Sequence, residues 1–346
     1  MKKALVLLTI ALLVFAGCNK SQSTKTEEKT MIAAMATDVG GLGDGSFNDG
    51  SYAGIQKAEM DGLAEARVVE SKQMTDYVPN LSGLAEDGAD VVFAVGFLMA
   101  DALIEAAENN PETSYAGIDI WVDPASAPYN VLGISFNEHE AGYLAGIVAG
   151  SMTKEFASAS DKLNDENVIG VVLGMDIPPC ERYEVGFEAG AKAVNPDVKV
   201  LQAVAGDFAD QAKGKELTLA MINEGADIVF QVAGLTGMGV IAAAQEEGIL
   251  AVGVDVDQYA AAPEAILTSA MKGLTEASYQ TIESVANGTF KGATNISLGI
   301  KEGAVGIAPY HNFDSVVPQS VKDAVDTAIA DIKSGALVVP ASRGDL

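Results

Sequence analysis

The sequence has few of the side chains on which most catalytic and metal sites depend. Its 346 residues include two cysteines, two histidines and one tryptophan, with 21 Lys and Arg against 48 Asp and Glu. A net charge of −27 leaves no basic cluster that could neutralise phosphates, which argues against binding to nucleic acid or to an anionic membrane surface. The hydrophobic content of 49% still predicts a globular core, and the length allows two compact domains.

The motifs of common enzyme and metal sites are missing as well. Neither His139 nor His311 lies in an HExxH motif, no GxSxG follows a strand-like run, and two histidines with one spare cysteine do not make a zinc site. The GLTGMG turn that begins at Gly234 lacks the Lys-Ser/Thr of a Walker motif. The glycine-rich acidic loop at residues 37–49 lacks the closing glutamate of an EF-hand. We expect no catalytic residue, no metal and no cofactor.

The first residues have the features of a bacterial export signal. Two lysines precede a run of twelve apolar residues, which is too short to span a bilayer. The FAGC stretch that ends at Cys18 resembles a lipobox, although Phe15 stands where leucine is usual. We predict a signal peptide over residues 1–17, lipidation of Cys18 and a polar tether over 18–30, with ordinary secretion as the alternative.

From residue 31 onward, short apolar runs alternate with stretches of helical length. The strand-like runs of the first half are MIAAMA, ARVVES, DVVFAVG, TSYAGIDI and NVLGISF. Helices are expected over Asp49–Met60, Asn80–Glu86 and Ala100–Asn109. This alternation is typical of a parallel sheet covered by helices, and it predicts the α/β class.

The pattern restarts at residue 167 and repeats the first half. EDGADVVFAVG is followed by a helix and SYAGIDI, as NEGADIVFQVAG is followed by a helix and LAVGVDVD. Asp119 lies 29 residues after Asp90, and Asp255 lies 28 residues after Asp227. The repeat predicts two equivalent open sheets, with chance similarity of two α/β segments as the alternative.

The ends of the predicted strands carry a group of acidic, glycine and aromatic residues. In an open parallel sheet, ligands bind beyond the carboxyl ends of the strands. If the two sheets face one another, these loops converge on a shared cleft, which is a favoured place for a small molecule. The residues expected there are Asp38, Phe47, Asn48, Gly96, Asp119, Asp176, Phe208, Gly234, Asp255 and Lys272.

Two of these residues are aromatic rings in loops of opposite halves. Phe47 and Phe208 could stack on both sides of a flat ligand, with roughly 1–3 kcal/mol from each stacked base. Each ring could instead cover its own loop.

The polar members of the group suit a ligand with hydroxyl and N–H groups. Asp255 could accept two hydrogen bonds from a vicinal diol, or it could cap a helix. Asp119 could accept from the N–H edge of a base, and Lys272 could donate to sugar oxygens or be an ordinary surface lysine. Asp38 and Asn48 could complete the polar ring.

Taken together, the quoted motifs resemble the basic membrane protein family of bacterial lipoproteins, the nucleoside-binding receptors of ABC transporters. The resemblance runs from about residue 31 to about 335 and is carried by DVGGLGDGSFND, GMDIPPCERYEVGFEAGAKAVNP, GVDVDQ and GAVGIAPY. It implies a type I periplasmic-binding-protein fold, with two doubly wound lobes joined by three crossing strands around an inter-lobe cleft. We expect one lobe from 31–137 with about 265–300, and the other from 138–264 with about 301–346.

The resemblance also implies roles for individual residues. Phe47 and Phe208 match the rings on the two sides of a purine, and the second loop reads DFAD where many relatives have SFND. The other matches are Asp255 on the ribose hydroxyls, Lys272 on the sugar side, Asp38 and Asn48 in the first loop, and Asp119 facing the base. Gly234 is expected to bring backbone close to the ligand or to begin a helix.

The sequence therefore predicts a lipid-anchored, monomeric receptor that captures a nucleoside, in particular a purine one. It would face the periplasm or the cell exterior, contact the membrane only through its anchor, and serve an ABC permease with a separate ATPase. The alternatives are a sugar-binding receptor, a nucleoside-cleaving enzyme and a surface adhesin on the same scaffold.

Overall fold

The computed structural model describes residues 30–346, which form two α/β lobes. The predicted signal peptide, Cys18 and all but the last residue of the tether lie outside the described residues. The first lobe is built on a six-stranded sheet in which every pairing is parallel. Its strands, from one edge to the other, are β11 (Thr294–Leu298), β5 (Val131–Phe136), β4 (Ser114–Ile118), β3 (Val91–Val95), β1 (Ile32–Thr37) and β2 (Glu65–Val69).

The second lobe has a sheet of the same size and strand order. From edge to edge its strands are β12 (Val305–Ile307), β10 (Ile266–Lys272), β9 (Leu250–Asp255), β8 (Ala226–Val232), β6 (Val168–Leu173) and β7 (Lys199–Val204). All pairings are parallel except that of β12 with β10, which is antiparallel. The central strands β1, β6 and β9 are buried along their whole length, as expected for parallel strands covered on both faces. The predicted α/β class and two-lobed architecture are confirmed.

Helices cover both sheets in the described part of the chain. They are α1 (Phe47–Met60), α2 (Tyr77–Glu86), α3 (Ala100–Asn109), α4 (Glu138–Met152), α5 (Pro178–Val194), α6 (Gln211–Asn223), α7 (Gly234–Glu247), α8 (Leu274–Ala286) and α9 (Gln319–Ser334). The bounds of α3 match the sequence prediction, and α1 and α2 begin slightly earlier than predicted. Within residues 30–346, no helix combines the length and the apolar character needed to cross a bilayer.

Within residues 30–346 the chain passes between the lobes three times, near Asn137, Gly273 and Gly299. The sequence predicts that residues from about 265 belong to the first lobe, and the structure corrects this boundary. Strand β10 pairs in parallel with β9 and is a member of the second sheet, so the crossing comes only after Lys272. The first lobe then gains α8, which packs on α1, and β11. A buried strand sequence does not encode which of two similar sheets it joins.

Helices α4 and α5 pack so closely that their backbones touch. A Cβ atom built at Gly146 would lie 2.1 Å from the carbonyl oxygen of Phe187, a distance that no real side chain could adopt. Glycine at such positions lets two helices approach to backbone contact. The glycines in this contact are Gly142, Gly146, Gly150, Gly186 and Gly190.

Candidate ligand-binding cleft

The two lobes enclose a cleft at the carboxyl ends of their strands, with about 600 Å³ of space including its mouth. This size lies in the range of small-molecule pockets. The structure brings Gly96 and all eight residues of the predicted site to its walls: Asp38, Phe47, Asn48, Asp119, Phe208, Gly234, Asp255 and Lys272. Asp176 is different, because it lies on the surface with its Oδ1 atom 2.8 Å from Nη1 of Arg343.

The acidic loop before α1 is held together by its own carboxylates. Asp49 accepts hydrogen bonds from the backbone N–H groups of Gly43 (2.9 Å) and Gly45 (2.8 Å). Asp44 accepts from the N–H groups of Ser46 (3.0 Å), Asn48 (2.8 Å) and Asp49 itself (3.1 Å). Burial raises the pKa of Asp44 to about 6. Asp44 lines the cleft but was not among the predicted site residues, because its contacts depend on how the loop folds.

Asp38 and Asn48 form the polar floor of the cleft on the first lobe. The Oδ1 atom of Asp38 accepts hydrogen bonds from the N–H of Gly40 (2.9 Å) and from Nδ2 of Asn48 (3.0 Å). Burial raises the pKa of Asp38 despite these two bonds. The Oδ1 atom of Asn48 is buried and has no hydrogen-bond partner among the described residues. This oxygen is available to an N–H or O–H group of a ligand.

Asp119 and Asp255 occupy equivalent positions in the two halves. Each follows or ends the fourth strand of its sheet, and both have left-handed backbones, with φ of 61° and 65°. Such conformations are uncommon outside glycine, and they cluster at functional sites. Asp255 accepts hydrogen bonds from Oγ of Ser46 (2.6 Å), across the cleft, and from the hydroxyl of Tyr183 (3.4 Å). Burial raises the pKa of Asp255.

Lys272 lies at the centre of a buried ionic cluster. Its Nζ atom is 2.6 Å from Oδ2 of Asp119 and 3.0 Å from Oε1 of Glu138. Burial alone would lower the pKa of Lys272, but the carboxylates of Asp119, Glu138 and Asp255 outweigh it and raise the pKa. Burial raises the pKa of Asp119 to about 7, with Lys272 opposing the shift. The Oδ1 atom of Asp119 is buried without a hydrogen-bond partner in the described chain.

Glu138 and Arg182 extend this cluster into the second lobe. Nε of Arg182 lies 2.5 Å from Oε2 of Glu138, whose side chain is fully buried. Burial acts to raise the pKa of Glu138, but Lys272 and Arg182 together hold it below its ordinary value. The sequence prediction included neither residue, although Glu138 comes two residues after the end of β5. Arg182 lies within α5, away from any strand end.

The two predicted rings are both half-buried at the cleft. Phe47 is the first residue of α1, and Nζ of Lys272 lies 5.1 Å from the centroid of its ring. Phe208 packs on the second lobe against two glycines. A Cβ atom at Gly174 would lie 2.3 Å from Cδ1 of the Phe208 ring. Gly234 begins α7 with a φ of 53°, and a Cβ atom there would lie 3.5 Å from the Phe208 carbonyl oxygen.

The first turns of α5 supply a wall that the sequence did not reveal. Ile177, Pro179, Cys180 and Tyr183 all line the cleft. Cys180 is a buried free thiol, and burial raises its pKa. The run PPCERYEV predicts a helix, but the face that it turns to the cleft is set by packing against α4.

A two-lobed fold of this kind, with polar and aromatic groups converging between the lobes, defines the class of solute-binding proteins. Residues 31–342 match the Bmp family, described as ABC transporter substrate-binding protein, PnrA-like. The chain belongs to this family.

Relatives and a solved structure agree with the family. The chain is 31% identical to the ABC transporter nucleoside-binding protein BmpA of Lactococcus lactis, over 97% of each chain. It is 35% identical to an uncharacterized lipoprotein of Pyrococcus abyssi, over 88% of this chain and 74% of the relative. The crystal structure of an ABC transporter solute-binding protein from Aeropyrum pernix K1 superposes with a TM-score of 0.82 at 26% identity, covering 90% of this chain and 95% of that one.

Proposed function

We propose that this protein is the lipid-anchored receptor of an ABC importer and captures a purine nucleoside between its lobes. The observation that carries the proposal is that aromatic rings and charged polar groups line the same cleft. Two half-buried rings, Phe47 and Phe208, come from opposite lobes, and buried carboxylates with one ammonium group lie beside them. A flat base and a polyhydroxylated sugar in one molecule suit such a cleft.

The base side of the proposed site is rich in hydrogen-bond acceptors. Oδ1 of Asp119 and Oδ1 of Asn48 are both buried and unpartnered in the described chain. A buried acceptor without a donor costs free energy, so a ligand that supplies N–H groups gains affinity by satisfying it. The N–H edge of a purine such as inosine or guanosine supplies these donors.

The sugar side is assigned to Asp255 and Lys272. Asp255 presents two carboxylate oxygens, and the hydroxyls that now contact it, from Ser46 and Tyr183, show that O–H donors fit around it. A vicinal diol can donate to both oxygens. Lys272 can donate to sugar oxygens while it stays paired with Asp119.

Closure of the lobes would hold the ligand, and opening would release it to the permease. Hydrogen bonds that join the lobes beside the cleft include Ser46 to Asp255, Lys272 to Asp119, and Nε2 of Gln258 to the Gly45 carbonyl at 3.0 Å. All three lie beside the cleft, so a ligand there would take part in closure. In this proposal Cys18 carries the lipid, a membrane permease takes the nucleoside, and a separate ATPase supplies the energy.

Calorimetry with a panel of ligands tests the proposal. Inosine and guanosine should bind, whereas uridine, D-ribose and other free sugars should bind more weakly or not at all. Binding of a sugar without any nucleoside would overturn the proposal in favour of a sugar receptor. Release of hypoxanthine from inosine during incubation would show an enzyme instead. Native mass spectrometry of the purified protein should find a co-purified nucleoside.

A further inference from the structure

The loop between β1 and α1 has the position of a phosphate-binding loop. In many α/β proteins a glycine-rich turn after the first strand leads into a helix whose first N–H groups bind a phosphate. In this protein the carboxylate of Asp44 accepts the hydrogen bonds of those N–H groups. Its carboxylate accepts from the backbone N–H of Ser46, Asn48 and Asp49, and the residue is 1% exposed. The protein thus supplies its own anion at the start of α1.

Two other groups at the cleft are also poorly suited to bind a phosphate. Helix α5 reaches the cleft with Pro178 and Pro179 at its start, and proline has no N–H to donate. The positive charge of Lys272 is already offset by the carboxylates of Asp119 and Glu138, although one of its N–H groups can still donate to an uncharged sugar oxygen. Within the described residues, the carboxylates lining the cleft outnumber its ammonium group: Asp38, Asp44, Asp119 and Asp255 against Lys272.

Ser46 connects Asp44 to the sugar side of the cleft. Its N–H donates to Asp44 at 3.0 Å, and its hydroxyl donates to Asp255 at 2.6 Å. A phosphate attached to a sugar at Asp255 would therefore enter a cleft that the carboxylates of Asp44 and Asp255 both line. Like charges repel more strongly in such a buried site than in water.

We propose that Asp44 is a specificity-determining residue that restricts the cleft to uncharged nucleosides and rejects nucleotides. This inference rests on the proposed nucleoside site, and it assigns to the loop carboxylate the position that a ligand phosphate takes in nucleotide-binding proteins. Removal of the charge would free the first N–H groups of α1 and remove the repulsion at the same time.

Calorimetry with inosine and inosine 5′-monophosphate at pH 7.5 tests the inference. The wild-type protein should prefer inosine by at least about 100-fold, and Asp44→Ser should lower this preference at least about tenfold, chiefly through tighter binding of the monophosphate. Asp49→Ser is the matched control, because Asp49 also accepts two backbone N–H groups in this loop but does not line the cleft. Its preference should equal that of the wild type. An unchanged preference in a folded Asp44→Ser protein would overturn the inference.

Inorganic phosphate gives a second readout that needs no nucleoside. Millimolar phosphate should raise the melting temperature of Asp44→Ser, since a ligand that binds only the folded state stabilises it, and should leave the wild type and Asp49→Ser unchanged. Equal responses of all three proteins would contradict the inference. A wild-type protein that binds no nucleoside would refute the proposed function, while the phosphate experiment would still decide the role of Asp44.

Discussion

The ammonium of Lys272, at the end of β10 in the second sheet, lies 2.6 Å from the carboxylate of Asp119, which follows β4 in the first sheet. Both side chains are almost fully buried. The pair therefore joins the lobes at the cleft. The positive charge of Lys272 also offsets the negative charges of the buried carboxylates around it.

Replacement of Lys272 by methionine should destabilise the protein strongly. Removing one partner of a buried ion pair leaves the other uncompensated, which costs about 3–5 kcal/mol. Urea unfolding measures the loss. Lys57→Met is the matched control, because Lys57 pairs with Asp61 on the exposed face of α1 and its loss should change stability little. Similar free energies of unfolding for the two variants would show that the buried ion pair contributes no more to stability than the exposed one.

Phe208→Ala should weaken inosine binding by about 1–3 kcal/mol, because one face of the base loses its stacking partner. Calorimetric titration measures the change. Phe290→Ala is the control, since Phe290 is also half-buried but does not line the cleft. An unchanged affinity in the Phe208 variant would exclude the ring as part of the site.

Gly174→Ala should weaken the same binding without removing any ligand-contacting group. The new Cβ atom would lie 2.3 Å from the Phe208 ring and 3.1 Å from Cα of Ala233, so the ring must move away from its present position. The matched control is Gly83→Ala, because a Cβ atom there meets no atom within 4 Å. If both variants bind inosine like the wild type, the packing of the Phe208 ring against Gly174 has no role in recognition.

Asp255→Ala should weaken ribonucleosides more than free bases, because only the nucleoside has hydroxyls for this carboxylate. Titrations with inosine and hypoxanthine measure the two losses. A control is Asp257→Ala, whose carboxylate lies two residues further on and pairs with His311 outside the cleft. Equal losses for nucleoside and base in the Asp255 variant would remove Asp255 from the sugar side.

Asp227 should make the free energy of unfolding fall as the pH rises. Burial raises the pKa of Asp227 in the folded state to about 6, from the ordinary value of 3.8. Between these values the folded protein binds more protons than the unfolded chain, so this contribution to stability is full below about pH 4 and is lost through about pH 6. The change amounts to about 3 kcal/mol.

The variant Asp227→Asn isolates this contribution. Urea unfolding at pH 4.5 and at pH 7.5 should show a smaller loss of stability over this interval in the variant than in the wild type. The comparison uses the difference between two pH values, so a constant penalty from replacing the acceptor of Thr153 and Asn164 cancels. Parallel pH profiles would contradict the assignment.

Much of the cleft could be predicted because parallel strands all end at one edge of a sheet. Asp38 comes after β1 and Asp119 after β4 in the first sheet, and Asp255 and Lys272 end β9 and β10 in the second, so the strand pattern places each pair at one sheet edge. That the two edges face one another came from the family resemblance and not from the pattern, and the roles of these residues in binding remain predictions.

The rest depended on packing that the sequence does not encode. Tyr183 lines the cleft because α4 fixes the rotation of α5, and Glu138 reaches Lys272 only after the chain has crossed between lobes. The sequence does not distinguish Asp44 from the other aspartates of its loop, because its contacts depend on how the loop backbone folds around it. For the same reason β10 could not be assigned to its sheet, because either sheet would bury its apolar side chains.

The glycine contact between α4 and α5 limits how the cleft can adapt to its ligands. Glu138 begins one of these helices and Tyr183 belongs to the other, and no side chain lies between the backbones at Gly142, Gly146, Gly186 and Gly190 to be repacked. The part of the cleft wall that α4 and α5 supply therefore moves as one rigid unit. A ligand of a different size can be accommodated by changing the angle between the lobes, but not by widening this wall.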